Sequence, residues 1–547
     1  MEYYFTDLYR TRLFAPLVLL FLLYVLSARF RGLIRAAADR VNRWGRSKVS
    51  FLLFLITLLA GLLMIYPGKS WGGDYSQYYA QARALATGTI PEWYRKNSFI
   101  INNSCDGIGS DVYPWMWAIM LVPVWKIFHG FPAIIVKLYE VFLLGAGAWF
   151  MIHIFLKRMS PARALFLSLF VSGSYQFLCN VNAADADVPG FFWSMMALYL
   201  MDWYLQERNT ASAANISSNV SSADGVEKHN IDIGLISLAA ASGAGAAAAV
   251  LTKTLCEGII LALAAYDLVQ LIRRKFHAGR RWWIGFIPYG MYFLCKGLCD
   301  LLLMKSGGTY RDYFTFSGGR FRQGLREYFV IFSRYFGSSV RPLISVLLVI
   351  ITVLFLVLAA AGMVMQWRKE LYFALYVCGM MVMLLFYNYY RYGFTYSFYP
   401  LMLLFASYAF HAVRERGGAV LFTGASLTVL ALVLAESLCG IYATRLRGYR
   451  LDESESTKAR EVYQYIDDHL NTNDVVYFFK PRVLYWSTGV DSYFWGLDDV
   501  DHLDKADYVL LTRWDDQTKV YSYVSGSSNY QETFDNGEFL LYRKEEP

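Results

Sequence analysis

Asp74 is a residue whose type and position could support catalysis. It follows two glycines and opens a polar stretch that ends at Gly88, shortly after an apolar run long enough to cross a membrane. A carboxylate fixed just outside a bilayer can act as general base on an acceptor hydroxyl, or it can help to hold a metal ion. An acidic residue in this place can also cap the first turn of a helix, so the sequence leaves both interpretations open.

Two cations and a second acidic pair lie at the ends of other apolar runs. Lys253 separates two such runs, Arg391 lies in an aromatic stretch, and Asp185 and Asp187 precede a further run. Arginine suits bidentate contact with phosphate, and cations near a departing phosphate stabilise its charge. A lysine that reaches to the membrane surface and an arginine that anchors an aromatic belt are the alternative interpretations.

The composition predicts an integral membrane protein. Of the 547 residues, 56% are hydrophobic and only 17% are charged, against about 25% charged in soluble proteins. Thirteen apolar segments could span a bilayer, near residues 13–28, 51–67, 113–129, 132–156, 164–180, 188–205, 233–250, 255–272, 282–304, 342–366, 371–387, 394–412 and 419–439. We therefore expect an all-α polytopic membrane domain with about 11–13 transmembrane helices.

The basic residues predict which side of the membrane each loop faces. Residues 29–48 carry seven Arg or Lys and one acid, which assigns this stretch to the cytoplasm. If one of the two segments between residues 113 and 156 does not cross fully, Asp74, residues 184–187, Lys253 and Arg391 share one outer face. Topology thus explains most of the net charge of +8 without a nucleic-acid partner. The seven scattered cysteines indicate neither a disulfide framework nor a zinc site.

From Glu453 onward the pattern changes to that of a small soluble domain. An amphipathic helix over residues 459–470 is followed by strand-like runs at residues 475–479, 508–512 and 539–542. The sequence therefore predicts a transmembrane domain over residues 1–440 and an extracytoplasmic α/β domain over residues 441–547.

Several short motifs resemble, in the same order, those of the GT-C glycosyltransferases, especially the branch of the protein O-mannosyltransferases and the lipid A aminoarabinose transferases. The elements that match are Asp74 to Gly88, Tyr113-Pro114-Trp115, Asp185 with Asp187, Leu251-Thr252-Lys253-Thr254, Arg391-Tyr392 with Pro400, and Phe478-Phe479-Lys480-Pro481-Arg482. The sequence departs from the usual family pattern at Tyr75, Trp115 and Thr254. These departures leave the acceptor and any use of a metal open.

The resemblance implies a GT-C fold and an inverting transfer of a sugar from a polyprenyl-phosphate donor to a hydroxyl acceptor. Asp74 would be the catalytic base, and Lys253 and Arg391 would bind the donor phosphate. Asp185 and Asp187 would form a secondary acidic element. The acceptor would be a protein, lipid A or another glycan.

The tail-domain motif would contribute Lys480 and Arg482, which either contact the acceptor or brace the tail against the membrane. The resemblance leaves a divalent cation possible, with unknown ligands, and implies no other cofactor. The expected location is a bacterial inner membrane with the active site facing the periplasm.

Two other classes of function stay open. A transporter or a flippase for lipid-linked sugars would be expected to show inverted repeats or broken helices, and inspection reveals no repeat. A membrane receptor or assembly subunit would bind through the tail domain without catalysis. Charged pairs inside apolar runs, Lys137 with Glu140 and Lys296 with Asp300, are spaced for internal salt bridges on one helix face.

Overall fold

A computed structural model describes residues 14–545, apart from residues 70, 106–107, 218–224, 274–281, 306–312, 338–341, 417, 447–452 and 472. This described part contains 21 α-helices and one five-stranded sheet. The sheet lies in the tail, and the helices that precede residue 447 form the membrane domain. The predicted fold class is confirmed: a helical membrane domain is followed by a small α/β domain.

The helices of the membrane domain coincide with all thirteen predicted apolar segments. Their bounds are α1 Phe14–Leu26, α2 Ala28–Asn42, α3 Arg46–Met64, α4 Asp74–Thr87, α5 Ile90–Asn102, α6 Trp115–Phe128, α7 Ala133–Leu156, α8 Pro161–Ser172, α9 Tyr175–Cys179, α10 Asp187–Ser217, α11 Gly225–Thr252, α12 Gly258–Ile272, α13 Ile287–Leu302, α14 Gly318–Arg334, α15 Pro342–Gln366, α16 Leu371–Leu385, α17 Tyr399–Arg416 and α18 Ala419–Leu446.

Among the described residues, 6 helices are long and apolar enough to cross a membrane. They are α3, α7, the part of α11 from Ile233, α12 with the turn before it, the part of α15 from Ile344, and α18. The number rises to 8 if each of two bent pairs, α1 with α2 and α8 with α9, counts as one span. Hydrophobic side chains on these helices face outward where lipid would surround them, as Leu59 and Leu354 do.

Helix lengths indicate which of the two segments between residues 113 and 156 crosses only in part. The 24 residues of α7 rise about 36 Å and exceed the thickness of about 30 Å of a bilayer core. The 14 residues of α6 rise only about 21 Å. Helix α6 is therefore the segment that fits an incomplete crossing.

The tail domain is built on a mixed sheet. Its helices are α19 Thr457–His469, α20 Pro481–Thr488 and α21 Lys519–Gly526, and its strands are β1 Val475–Tyr477, β2 Asp491–Tyr493, β3 Tyr508–Thr512, β4 Tyr530–Asp535 and β5 Phe539–Lys544. The strand order is β2-β1-β3-β5-β4, in which β1 is parallel to both β2 and β3. The remaining pairs are antiparallel. Helix α20 therefore connects two parallel strands, and its first turn follows the end of β1.

The tail packs through aromatic side chains on the loop between α3 and α4. The indole of Trp71 lies against the rings of Phe478, Phe479 and Phe539, with ring centroids 5.7, 5.1 and 6.1 Å away. Such edge and tilted contacts between buried rings are favourable beyond the apolar area that they bury. Because Trp71 stands three residues before Asp74, this packing fixes the start of α4 against the tail.

Candidate functional site

Asp74 begins α4 and points toward neighbouring segments. Gly73 before it has a φ of 82°, a backbone conformation that glycine adopts readily. One carboxylate oxygen, Oδ1, accepts a hydrogen bond from the hydroxyl of Tyr113 at 2.9 Å. The other, Oδ2, accepts one from Nη1 of Arg391 at 2.7 Å. Both partners come from other segments, so the side chain of Asp74 serves contacts outside its own helix.

Arg391 connects Asp74 with the second acidic element. It lies between α16 and α17 in extended backbone, with a φ of −148°. Its Nη2 donates to Oδ2 of Asp185, and its Nε lies 3.5 Å from Oδ2 of Asp187. These three carboxylates, with Asp187 contributing most, raise the pKa of Arg391 further above its ordinary value. One guanidinium thus joins three acidic side chains from two separate segments.

A glycine makes this close approach possible. A Cβ atom on Gly393 would lie 2.0 Å from Oδ2 of Asp187, well inside van der Waals contact. Any other residue at position 393 would therefore push the chain that carries Arg391 away from the carboxylates. The sequence contains this glycine two residues after Arg391, but nothing in the spacing indicates its role.

Buried polar groups hold the turn that carries Asp185 and Asp187. Ala184 has a φ of 54°, which is unusual for a residue with a side chain. Its N–H donates to Oε2 of Glu140 at 3.3 Å, and its carbonyl accepts from the indole N–H of Trp117 at 3.4 Å. Oδ1 of Asp185 accepts from the main-chain N–H of Asp187 at 2.9 Å. Burial, reinforced by the neighbouring Asp187, raises the pKa of Asp185 to about 6, although Arg391 opposes the shift.

Lys253 is the ion-pair partner of Asp187. It breaks the helical run between α11 and α12, with a φ of −150°. Its ammonium group donates to Oδ1 of Asp187 and lies 4.7 Å from the ring centroid of Phe394. The side chain is only 14% exposed, so a phosphate could meet Lys253 only beside or in place of this carboxylate.

The tail domain reaches Asp74 through Tyr113. Nη1 of Arg482 donates to the Tyr113 hydroxyl at 2.9 Å, and its Nη2 donates to the carbonyl of Ser110 at 2.7 Å. Lys480 lies beside the same corner, with its Cδ 3.9 Å from the position of a Cβ on Gly73. Burial lowers the pKa of Lys480, and the charge of Asp74 partly reverses this shift.

The structure thus brings five of the predicted site residues into one cluster, namely Asp74, Asp185, Asp187, Lys253 and Arg391. Arg482 joins this cluster through one intervening tyrosine, and Lys480 lies at its edge. Tyr113 belongs to the Tyr113-Pro114-Trp115 motif, but its type and position in the sequence predict no role for it.

Glu140 was predicted only as a salt-bridge partner of Lys137. In the structure its carboxylate accepts from Ala184, while the ammonium of Lys137 donates to the carbonyl of Tyr66 at 2.7 Å. The predicted pair of Lys296 with Asp300 is confirmed, with a distance of 3.1 Å. A charged residue within an apolar run was the available signal for Glu140, because such residues are functional candidates by default.

The three carboxylates do not fit a divalent cation in their present arrangement. The oxygens of Asp74 and Asp185 accept hydrogen bonds, and those of Asp187 face Lys253 and Arg391. A metal would have to displace the guanidinium to reach them. Among the described residues, no group of three or more His, Cys, Asp or Glu side chains could hold a metal ion.

Comparisons with known proteins show the fold. No family model matches the sequence, and no curated protein matches it. The structure is similar to that of ArnT from Cupriavidus metallidurans bound to undecaprenyl phosphate, with a TM-score of 0.53 and 12% identity, over 91% of this chain and 97% of that one. The oligosaccharyltransferase of Archaeoglobus fulgidus in the apo form gives a TM-score of 0.48 and 10% identity, over 86% and 70% of the two chains. The expected GT-C fold is thus confirmed through the first of these structures.

Proposed function

We propose that the protein is a membrane glycosyltransferase that takes a sugar from a polyprenyl-phosphate donor and transfers it, with inversion, to an acceptor hydroxyl. The observation that carries this proposal is the cluster around Arg391, in which a candidate base and a phosphate-binding cation are 2.7 Å apart. Asp74 and Arg391 have side chains that are about one third exposed, at 33% and 32%, so substrate can reach both.

The proposed reaction assigns one task to each group. The carboxylate of Asp74 takes the proton of the acceptor hydroxyl while the acceptor oxygen attacks the anomeric carbon of the sugar. The bond from that carbon to the phosphate oxygen breaks, and its electron pair stays on the phosphate. The guanidinium of Arg391 has five N–H groups, of which two donate to Asp74 and Asp185 while Nε faces Asp187. The two that are left can meet the departing phosphate and stabilise its charge.

The second acidic element has a supporting task in this mechanism. Asp187 holds Lys253 at the rim of the site, and Asp185 orients the guanidinium of Arg391. Together with Asp74, these side chains carry three negative and two positive charges, a net charge of −1. Because the net charge of the cluster is negative, the lipid phosphate must bind against its cations, at the two N–H groups of Arg391 that are left, and Lys253 adds its charge as a second cation.

A lipid-linked donor is supported by the fold, since the similar ArnT structure contains undecaprenyl phosphate. We propose further that the transfer occurs on the extracytoplasmic side, with the basic residues 29–48 at the opposite face. A bacterial inner membrane with a periplasmic active site fits this arrangement. The acceptor would be a protein, lipid A or another glycan that presents a hydroxyl group to Asp74.

The test is transfer of radiolabelled sugar in proteoliposomes from a panel of undecaprenyl-phosphate and dolichyl-phosphate sugars. Wild type should release the sugar from one donor, and Asp74→Asn should lose at least about a hundredfold in rate. Asp468→Asn is a matched control, because Asp468 is exposed on α19 and its replacement should leave the rate unchanged. Each variant must elute as wild type does on gel filtration in detergent.

Two results would contradict the proposal. If no donor is consumed by wild type, the transferase proposal fails, and movement of lipid-linked sugar across the vesicle membrane becomes the assay to run. If a correctly folded Asp74→Asn variant transfers sugar as fast as wild type, Asp74 is not the base.

A further inference from the structure

The hydrogen bonds between the tail and Asp74 have a fixed direction. A guanidinium group can only donate hydrogen bonds, so the bond from Arg482 uses the hydroxyl oxygen of Tyr113 as its acceptor. The hydroxyl has a single proton, and this proton must then serve the bond to Asp74. Because the Asp74 carboxylate can only accept, Tyr113 donates its proton to Asp74, and the lone pairs of its oxygen are left to accept from Arg482.

The two side chains are held tightly where they meet. Arg482 is only 6% exposed, and its guanidinium carbon lies 5.1 Å from the ring centroid of Tyr113. Gly109, at a φ of 107°, closes the other side of the contact. A Cβ there would lie 2.8 Å from the Tyr113 oxygen and 3.1 Å from Nη1 of Arg482. Neither group has room for a different arrangement without movement of this loop.

Arg482 is equally well fixed to the tail domain. It stands in the first turn of α20, directly after Pro481, whose carbonyl accepts a hydrogen bond of 2.7 Å from Ser492 in β2. The neighbouring Phe479 packs on Trp71. A continuous series of hydrogen bonds and packed residues thus connects the sheet of the tail, through Arg482 and Tyr113, to the carboxylate of Asp74.

We propose that Tyr113 and Arg482 are positioning residues for the base, which makes the tail domain a working part of the catalytic unit. This inference rests on the proposed function of Asp74. A carboxylate offers about four lone-pair sites, of which Tyr113 and Arg391 occupy one on each oxygen. The orientation set by Tyr113 decides where the remaining lone pairs point, and so where the acceptor hydroxyl must lie.

A double-mutant cycle of Tyr113→Phe and Arg482→Met tests the inference, with kcat and donor KM measured in proteoliposomes. Each single change should lower kcat by about 10- to 100-fold, because small displacements of catalytic groups have effects of this size. The donor KM should stay within about twofold, since neither residue meets the phosphate in this scheme. The double variant should be no slower than Tyr113→Phe within about twofold, because Arg482 acts through Tyr113.

Two further variants separate positioning from simple loss of tail structure. Arg482→Lys retains one donor for Tyr113 and should recover part of kcat. Arg513→Met breaks an exposed ion pair with Asp535 elsewhere in the tail and should leave kcat unchanged. Binding of farnesyl phosphate to each variant, measured by calorimetry in detergent, should match wild type.

The possible results can be told apart. If the effects of the two single changes multiply in the double variant, or if Tyr113→Phe retains the wild-type kcat, the positioning role is refuted. If Arg513→Met slows transfer as much as Arg482→Met, the tail acts only by its general integrity, and the inference also fails. Absence of transfer by wild type with every donor would instead overturn the proposed function itself.

Discussion

Replacing Arg391 by methionine should disturb both the stability of the protein and its activity. The five side chains of the cluster carry three negative and two positive charges, and the change moves their net charge from −1 to −2. Asp185 and Asp187 are only 4% and 5% exposed. Removal of one partner from a buried ion pair costs about 3–5 kcal/mol. Because the Arg391 side chain is 32% exposed, we expect the lower end, about 3 kcal/mol of unfolding free energy.

The assay combines unfolding in detergent with transfer in proteoliposomes. Arg391→Met should unfold at a lower denaturant concentration and lose about 100- to 1,000-fold in kcat, as expected when a donor to the departing charge is removed. Arg391→Lys should have a stability and a kcat between those of wild type and Arg391→Met. One ammonium group keeps the positive charge but cannot reach three carboxylates at once. The double variant Arg391→Met with Asp185→Asn should recover stability, since it restores the net charge of −1, but it should not recover transfer.

A variant of Arg391 that is normal in stability or in transfer would contradict the role assigned to this residue. If Arg391→Met unfolds as wild type does, the carboxylates do not depend on the guanidinium. If it transfers sugar within a few-fold of the wild-type rate, Arg391 does not stabilise the phosphate. Recovery of transfer in the double variant would show that Arg391 serves only to neutralise Asp185.

Three other predictions concern pH, metals and backbone geometry. Burial raises the pKa of Asp185 to about 6, above the value of about 4 in an unfolded chain. Between about pH 4 and pH 6, the folded protein therefore binds more protons at this site than the unfolded chain does. Acidification from pH 6 to 4 should therefore stabilise wild type relative to Asp185→Asn, by up to about 3 kcal/mol in denaturant titrations. Treatment with a chelator should leave transfer unchanged, because a metal would have to displace Arg391 from the carboxylates; loss of activity that Mg²⁺ or Mn²⁺ restores would contradict this. Gly393→Ala should reduce kcat at least tenfold because its methyl group meets Asp187, whereas Gly379→Ala, with open space around it, should behave as wild type.

Hydropathy and charge were sufficient to predict the architecture of the membrane domain. Each apolar segment coincides with a helix because a backbone within the bilayer must satisfy its own hydrogen bonds, although among the described residues only 6 helices, or 8 with the bent pairs, are long and apolar enough to cross. The basic residues 29–48 assign their stretch to the cytoplasm. Each later loop then lies on the side given by the number of full crossings that precede it. With this assignment, and with one incomplete crossing between residues 113 and 156, the sequence predicts Asp74, Asp185, Asp187, Lys253 and Arg391 on one face, and in the structure they form one cluster.

Contacts between distant side chains could not be predicted in the same way. The spacing of Lys137 and Glu140 predicted a bond within one helix, because helix geometry relates residues three and four apart. Their bonds go to Tyr66 and Ala184, which belong to two loops at the end of that helix. No periodicity in the sequence encodes such contacts. They require the helix of Lys137 and Glu140 and the loops of Tyr66 and Ala184 to meet in space.

The contacts of the two cations of the tail motif, Lys480 and Arg482, could not be predicted from the sequence either. The sequence left contact with the acceptor and bracing of the tail as alternatives for both residues, and in the structure the two side chains have different surroundings. The guanidinium of Arg482 is buried and donates to both Tyr113 and the carbonyl of Ser110, so it joins the tail to this loop and, through Tyr113, to the proposed base Asp74. Within the described part of the chain, the ammonium of Lys480 makes no hydrogen bond or ion pair, and the side chain is half-buried beside Gly73. A partly desolvated cation without a partner gains more from a new anionic contact than one already paired. Of the two, we therefore propose Lys480 as the residue that contacts a substrate, and Arg482 as the one that acts through the position of Tyr113.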